Sequence, residues 1–204
     1  MKPMYSDFYS FGKALVMTTC RADTEQELQW IINKEFDKCN ELERCLSFGE
    51  YGDISFPVIF RQDREYGNKW RDLLPCGTSF YLISERFRAL LEEYKITGWR
   101  CYPIELFDKK GLKVEGYHGF SVIGRAGNIM EFETPPEELG YSPKSFGWHF
   151  NMDLWDGSDI FQLSPRGIAI TTKLAEVLIK HKVSGIEMAR LTDYGDWKKH
   201  KRIL

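Results

Sequence analysis

Two passages of this chain carry the same signals in the same order, and that constrains its fold more than any other feature. Ile83 to Ile104 lies over Ile170 to Leu191 at an offset of 87 positions. Ile83 and Ser84 meet Ile170 and Thr171. Arg86 and Phe87 meet Lys173 and Leu174, and Leu90 and Leu91 meet Val177 and Leu178. Lys95-Ile96-Thr97-Gly98 meets Lys182-Val183-Ser184-Gly185. Each match has a physical job. The isoleucine ends a strand, and the hydroxyl residue caps a helix by accepting an orphan N–H. The spaced apolar residues form the helix's buried stripe. The glycine permits a left-handed turn into the next strand. The pattern predicts two strand–helix–strand units related as an internal repeat.

The flanking sequence supplies further elements. Lys13 to Thr19 reads as a strand. Thr24-Glu25-Gln26-Glu27 has the form of a capping box. The stripe Leu28, Ile31, Ile32, Phe36, Cys39, Leu42 and Leu46 then predicts one buried-face helix that runs to Leu46 and stops before Gly49. Ile54 to Phe60 reads as a strand that Pro57 pushes toward an edge or bulge. A short helix is expected around Trp70 to Leu74. Phe80 to Ile83 reads as a strand, Glu85 to Tyr94 as a helix and Trp99 to Leu106 as a strand. Asp108-Lys109-Lys110-Gly111 signals a turn before a returning strand from Val114 to Ile123. Asn128 to Phe132 reads as another short strand. Thr134 to Asp159, rich in Pro, Gly, Trp, Asn and Asp, reads as a long surface connection, of a length that in compact domains is often functional. The expected fold is α+β, with a mixed, mainly antiparallel sheet and about three packed helices. One domain over 1–204 is expected, with a soft division into 1–107 and 108–204 as the alternative.

Composition narrows the function classes. The 204 residues are 43% hydrophobic and 15% aromatic, enough to fill a core and inconsistent with general disorder. Lys198, Lys199, Lys201 and Arg202 make the tail basic. Without the last seven residues the body holds 24 basic and 30 acidic residues. An acidic body with dispersed cations argues against nucleic-acid binding and for a basic partner. The tail itself is expected to be frayed and solvated. Five scattered cysteines, none in a Cys-x-x-Cys pair, read as reduced thiols. Met1 to Phe11 has no signal-peptide core, and no apolar run is long enough for a transmembrane helix. A cytoplasmic location is expected.

The segment Trp148-His149-Phe150-Asn151-Met152-Asp153-Leu154-Trp155-Asp156-Gly157-Ser158-Asp159 is the most distinctive candidate site. His149, Asp153, Asp156 and Asp159 lack the alternation of a calcium loop and do not add up to a metal site; no cofactor is expected. As a contact surface, Trp148 and Trp155 would be anchors, the acids Asp153 and Asp156 would complement a basic partner, and His149 is a further contact residue. Glu133, Glu137 and Glu138, beside Pro135-Pro136, extend that acidic surface. The bland reading sets both tryptophans in the core and the glutamates in solvent. A catalytic alternative is a hydrolase or transferase using Cys76 with His118 or His149 as base. A second alternative is a small-ligand module with an apolar pocket.

Leu82 to Leu106 and Asp159 to Leu191 resemble the Imm11/DUF1629-type immunity proteins of bacterial polymorphic toxin systems and the similar Imm43 group. The resemblance rests on Ser84-x-Arg86 followed by a helix and Thr97-Gly98. It rests also on Asp159-Ile160-Phe161 followed by a helix and Ser184-Gly185-Ile186. It implies a small cytosolic inhibitor that binds a cognate toxin domain and blocks it sterically. It brings no catalytic residues.

Overall fold

The computed structural model describes residues 3–14, 16–77, 80–126, 150–164, 167–193 and 197–204. Among these, thirteen strands and four α-helices make an α+β fold. In chain order they are β1 (Phe8–Lys13), β2 (Ala22–Thr24), α1 (Glu25–Ile32), α2 (Phe36–Phe48), β3 (Val58–Gln62), β4 (Leu73–Cys76), β5 (Phe80–Ser84) and α3 (Glu85–Glu93). Then come β6 (Trp99–Tyr102), β7 (Ile104–Phe107), β8 (Tyr117–Val122), β9 (Gly124–Arg125), β10 (Ile160–Ser164), β11 (Gly167–Thr171), α4 (Thr172–Lys180), β12 (Ile186–Arg190) and β13 (Lys201–Ile203).

Two sheets result. One has the order β13-β12-β1-β11-β10-β9 and the other β6-β8-β5-β4-β2-β3-β7. Most pairings are antiparallel; β9 with β10, β2 with β4 and β3 with β7 run parallel. Only Pro103 separates β6 from β7, yet they sit at opposite edges of the seven-stranded sheet. One residue spans no more than ~7 Å of chain, so this sheet curls until its two edges meet. Inside the curl lie Val58, Phe60, Leu74, Cys76, Phe80, Leu82 and Tyr102, with Leu42 and Leu46 of α2 packed among them. A second core joins the sheets. It takes Phe87, Leu90 and Leu91 from α3, Leu174, Val177 and Leu178 from α4, and strand residues from both sheets such as Ile83 and Ile170.

The two strand–helix–strand passages are locked to one another by matching bonds. Asp72 Oδ1 accepts from Ser84 Oγ at 2.7 Å and Oδ2 from Arg86 at 2.7 Å, both in its own unit. Its Oδ2 also accepts from Ser184 N at 2.8 Å and Ser184 Oγ at 2.9 Å, in the other unit. Asp159, 87 positions later, does the same. It accepts from Thr171 Oγ1 at 3.1 Å and Lys173 Nζ at 2.9 Å, then across to Thr97 N at 3.1 Å and Thr97 Oγ1 at 3.3 Å. The backbone repeats the exchange: Leu73 N donates to Ser184 O at 3.0 Å and Ile160 N to Thr97 O at 3.1 Å. Tyr94 and His181, also at that offset, meet through Tyr94 Oη and His181 Nε2 at 2.8 Å. Gly98 (φ +91°) and Gly185 (φ +88°) make the close approaches. A Cβ there would lie 2.0 Å from Ile160 O and 2.4 Å from Leu73 O.

Several expectations are corrected. The first strand is Phe8–Lys13 rather than Lys13–Thr19, because Phe8 and Phe11 supply the buried side chains between β11 and β12, whereas Met17 is 78% exposed. The helix predicted from Thr24 to Leu46 is two helices, broken where Lys34 takes a left-handed φ of +61°. The capping box holds: Thr24 Oγ1 accepts from Glu27 N at 3.0 Å, and Thr24 N donates to Glu27 Oε2 at 3.4 Å. The break turns the stripe, so Cys39, Leu42 and Leu46 are buried, but Leu28, Ile31, Ile32 and Phe36 are 44–74% exposed. The helix expected at Trp70 to Leu74 is replaced by β4, whose buried residues pair with β5. Pro103 divides the Trp99 to Leu106 strand between the two sheet edges. The tail is not frayed at its end: β13 pairs with β12, and Arg202 Nε donates to Glu187 Oε2 at 2.9 Å. The strand expected at Asn128 to Phe132 lies outside the described residues.

Removing either locking carboxylate leaves hydroxyl and amide donors and a cation without their acceptor. Asp72→Ala and Asp159→Ala should each lower unfolding free energy by about 2–3 kcal/mol. Asp153→Ala, at an exposed position, should stay within about 0.5 kcal/mol. Urea denaturation checks this, and equal small losses for all three would contradict the lock.

Candidate partner-binding site

Of the eight sequence-predicted contact residues, three, Asp153, Trp155 and Asp156, are among the described residues. Trp148, His149, Glu133, Glu137 and Glu138 lie outside the described residues. Asp153 and Asp156 are exposed and Trp155 is half-buried. The Trp155 ring packs edge-on against Phe8 at 5.1 Å and near Phe161 at 5.7 Å, and its Nε1 donates to Ser158 O at 3.1 Å. Asp156 accepts from Arg125 N at 2.8 Å and from Ser158 N at 3.0 Å. Partial desolvation opposes its ionisation, but these hydrogen bonds outweigh it and hold the carboxyl below its usual range. Trp155 and Asp156 therefore tie this segment to the six-stranded sheet, and Asp153 and Leu154 face solvent.

The cysteine alternative finds its residues apart. Cys76 is fully buried in β4, where burial and the charges of Asp23 and Glu27 push its thiol well above its ordinary value. That is the opposite of an activated nucleophile. His118, on β8, meets Glu85 at the surface. His149 lies outside the described residues. The metal reading fares similarly: Asp159 is committed to the lock between units and Asp156 to its loop. No helix is long and apolar enough to cross a membrane among the described residues.

The structure instead exposes a face that periodicity assigned to the core. At the α1–α2 corner, Leu28 (44% exposed), Ile31 (50%), Ile32 (74%) and Phe36 (56%) stand in solvent. The residue that α1 buries is Glu27, 4% exposed. Beside this ridge opens a cleft of about 170 Å³, lined by Arg21, Asp23, Glu27, Leu28, Ile31, Glu43 and Gly77. Three carboxylates and one guanidinium thus share a small space with two aliphatic side chains. Arg21 pairs with Asp23 at 3.2 Å. Glu27 is held through Oε2 by Thr24 Oγ1 at 2.8 Å, and among the described residues no cation pairs with it. Glu27 Oε1, Glu43 Oε1 and Phe80 Cε1 lie 2.9 Å, 3.0 Å and 3.0 Å from the place a Cβ would occupy on Gly77, so they pack against this glycine and leave no room for a side chain there. Burial pushes the Glu27 carboxyl up to about 7, assisted by the charges of Glu43 and Asp23 and opposed by the Thr24 hydrogen bonds. Burial likewise raises Asp23, against the pull of Arg21.

This corner lies inside the span that aligns with known proteins. The model of the immunity protein family Imm11 matches residues 15–131, more than half of the chain. The chain belongs to the Imm11 immunity protein family. The match contains the first of the two resembling passages, Leu82 to Leu106, and ends before the second. A search of curated proteins found no match. In this Imm11 protein, α1, α2 and the cleft between them all fall within the matched span, whereas Asp153, Trp155 and Asp156 fall beyond it.

Sequence reasoning missed the cleft for a definite reason. Helical spacing reports that apolar residues share a face, not that the face is covered. The readable signal was Glu27, which the capping box places at the third helical position of α1, turned back toward the sheet.

The raised Glu27 pKa fixes the sign of a pH effect. A carboxyl raised in the folded state stabilises fully only below its unfolded value near 4.5. That contribution is lost as pH rises through about 7. Between about pH 5 and about pH 8, the unfolding free energy should fall by about 2 kcal/mol more in the unmodified chain than in Glu27→Gln. Chemical denaturation of both proteins across that range checks it; parallel slopes would contradict a raised Glu27.

Proposed function

We propose that this Imm11 protein neutralises a cognate toxin domain by binding it one-to-one and covering its working surface, without turnover. The observation that carries the reading is the exposed apolar ridge Leu28, Ile31, Ile32 and Phe36 beside an acidic cleft, inside the family-matched span. Clustered exposed aliphatic and aromatic side chains cost solubility and mark interaction surfaces. Acids beside them give a partner's basic patch both steering and register. The partner in this reading is a toxin of a bacterial polymorphic system, met in the cytoplasm. The 148–159 segment, with Asp153 exposed and Trp155 rigidly packed, is a second contact in the same proposal, as are Glu133, Glu137 and Glu138. Tight inhibition at nanomolar level needs about −12 kcal/mol, within reach of an interface of roughly 1,600 Å² with good central anchors.

The test is neutralisation. A protein that co-purifies stoichiometrically with the tagged chain from its native host should be toxic when its C-terminal domain is expressed alone. Co-expression of this chain should restore growth. Protection should scale with the molar ratio and saturate at one-to-one, as stoichiometric blocking requires. Protection at strongly substoichiometric amounts would indicate turnover, and no protection would sink the reading.

A further inference from the structure

We infer that the outer edge of β6 is a docking edge for an extended segment of a partner protein, one that sets an acidic residue opposite Arg100. The inference rests on the immunity reading only for the partner being a protein; the edge itself is read from the molecule's internal symmetry.

The repeat is larger than the two strand–helix–strand passages. β6-β8-β5-β4 and β12-β1-β11-β10 are four-strand sets of the same order, and their registers coincide. Phe120 of β8 pairs with Tyr81 and Cys101. Phe11 of β1 pairs with Ile168 and Met188, each 87 positions further on. Gly119 pairs with Leu82 and Tyr102, and Ser10 with Ala169 and Ala189, at the same offset. β1, which precedes both passages, therefore fills in the second unit the place that β8 fills in the first.

The two units differ at one edge. The outer side of β12 is covered by β13, antiparallel, with Ile203 opposite Ile186, Arg202 opposite Glu187 and Lys201 opposite Met188. The outer side of β6 pairs with no strand among the described residues. β7 pairs with β3, and Pro103 alone is too short a link to turn β7 back alongside β6. An edge strand presents a row of backbone N–H and C=O groups that an added strand can take up. β13 shows what such a strand looks like on this scaffold.

The chemistry of the occupant follows position by position. Trp99, Arg100 and Cys101 stand where the second unit has Ile186, Glu187 and Met188. Ile203, opposite Ile186, packs against the core that joins the sheets, and Trp99 and Cys101 pack against the same core. The residue opposite Trp99 is therefore apolar. In the second unit a cross-strand pair, Arg202 Nε on Glu187 Oε2 at 2.9 Å, supports the register. At β6 the sign is reversed. Arg100 is exposed, its guanidinium lies over the Tyr51 ring at 5.9 Å, and among the described residues it has no ion pair. An acid opposite it completes the pair that the second unit already has. The same reasoning disfavours β13 of a second copy, which would set Arg202 against Arg100.

The test uses the full chain, isotopically labelled, and blocked peptides of threonine and valine with a central glutamate followed by isoleucine. The glutamate peptide should move the amide signals of Trp99 to Tyr102. With glutamine in its place, binding should weaken about two- to fivefold, the size of one cross-strand charge pair. Arg100→Glu, at an exposed position, should reverse the order, so that a lysine peptide binds better than the glutamate peptide. N-methylation of alternate peptide residues should abolish binding in one phase and spare it in the other, because one row of peptide amides faces β6. Signals that move only elsewhere, equal effects of N-methylation in both phases, or no reversal by Arg100→Glu would overturn the docking edge. A peptide of this chain's own residues 199–204 that binds β6 as well as the glutamate peptide would make the occupant a second copy and overturn the acidic partner. The two proposals fail separately. The peptide measurement needs no toxin, so its failure leaves the immunity reading standing. A chain that takes the glutamate peptide but neutralises nothing would end the immunity reading alone.

Discussion

Two buried carboxylates, Asp72 and Asp159, hold this molecule's two halves in register. Each satisfies the cap of the helix that follows it, and each reaches across to the turn that ends the other helix. The cost of burying them is offset by four donors apiece, including one cation each from Arg86 and Lys173. The exchange brings α3 and α4 into one apolar core with strands of both sheets, to which they contribute Phe87, Leu90, Leu174 and Leu178. Gly98 and Gly185 are required by the same contact, because no side chain fits between either turn and the strand it touches.

That rigid body explains why α1 can leave apolar residues in solvent. The curled sheet is closed by α2 through Leu42 and Leu46, and α1 is attached by its capping box and by Trp30 at the edge of that core. Its other apolar residues, Leu28, Ile31 and Ile32, are 44–74% exposed. An exposed apolar surface, rimmed by acids, sits on a well-supported corner. In the proposed reading, binding there would order little new structure, so little of the interaction free energy would be lost to conformational entropy. The buried Glu27 gives the corner a charge that depends on pH.

Much of the fold was legible in residues whose signals are local. Thr24 and Ser84 as caps, the helix from Glu85, the turn at Asp108 to Gly111 and the final strand–helix–strand passage all appear where hydrogen-bonding logic places them. The failures share a cause. The curl that throws β6 and β7 to opposite edges, the placement of β1 and the pairing of the tail are set by partners far away in the chain. A single Lys34 in a left-handed conformation separates α1 from α2, and lysine carries no signal for it. The candidate site suffered most. The stripe through Leu28, Ile31 and Ile32 reads as core until the helix break rotates it outward. Asp72 was missed because an aspartate before a strand is common. Its counterpart at the same offset, Asp159, opens the Asp159-Ile160-Phe161 passage, and its bonds run to Thr171, Lys173 and Thr97.

The central claim is that the family-matched corner, not the 148–159 segment alone, is the working surface. Hydrogen exchange of the chain, free and saturated with the toxin domain proposed to bind it, tests it most directly. The account predicts slowed exchange through α1 and the start of α2, with the amides around Glu27, Ile31 and Glu43 among the most protected. Protection confined to residues 150–159, with α1 exchanging as fast as in the free chain, would contradict it.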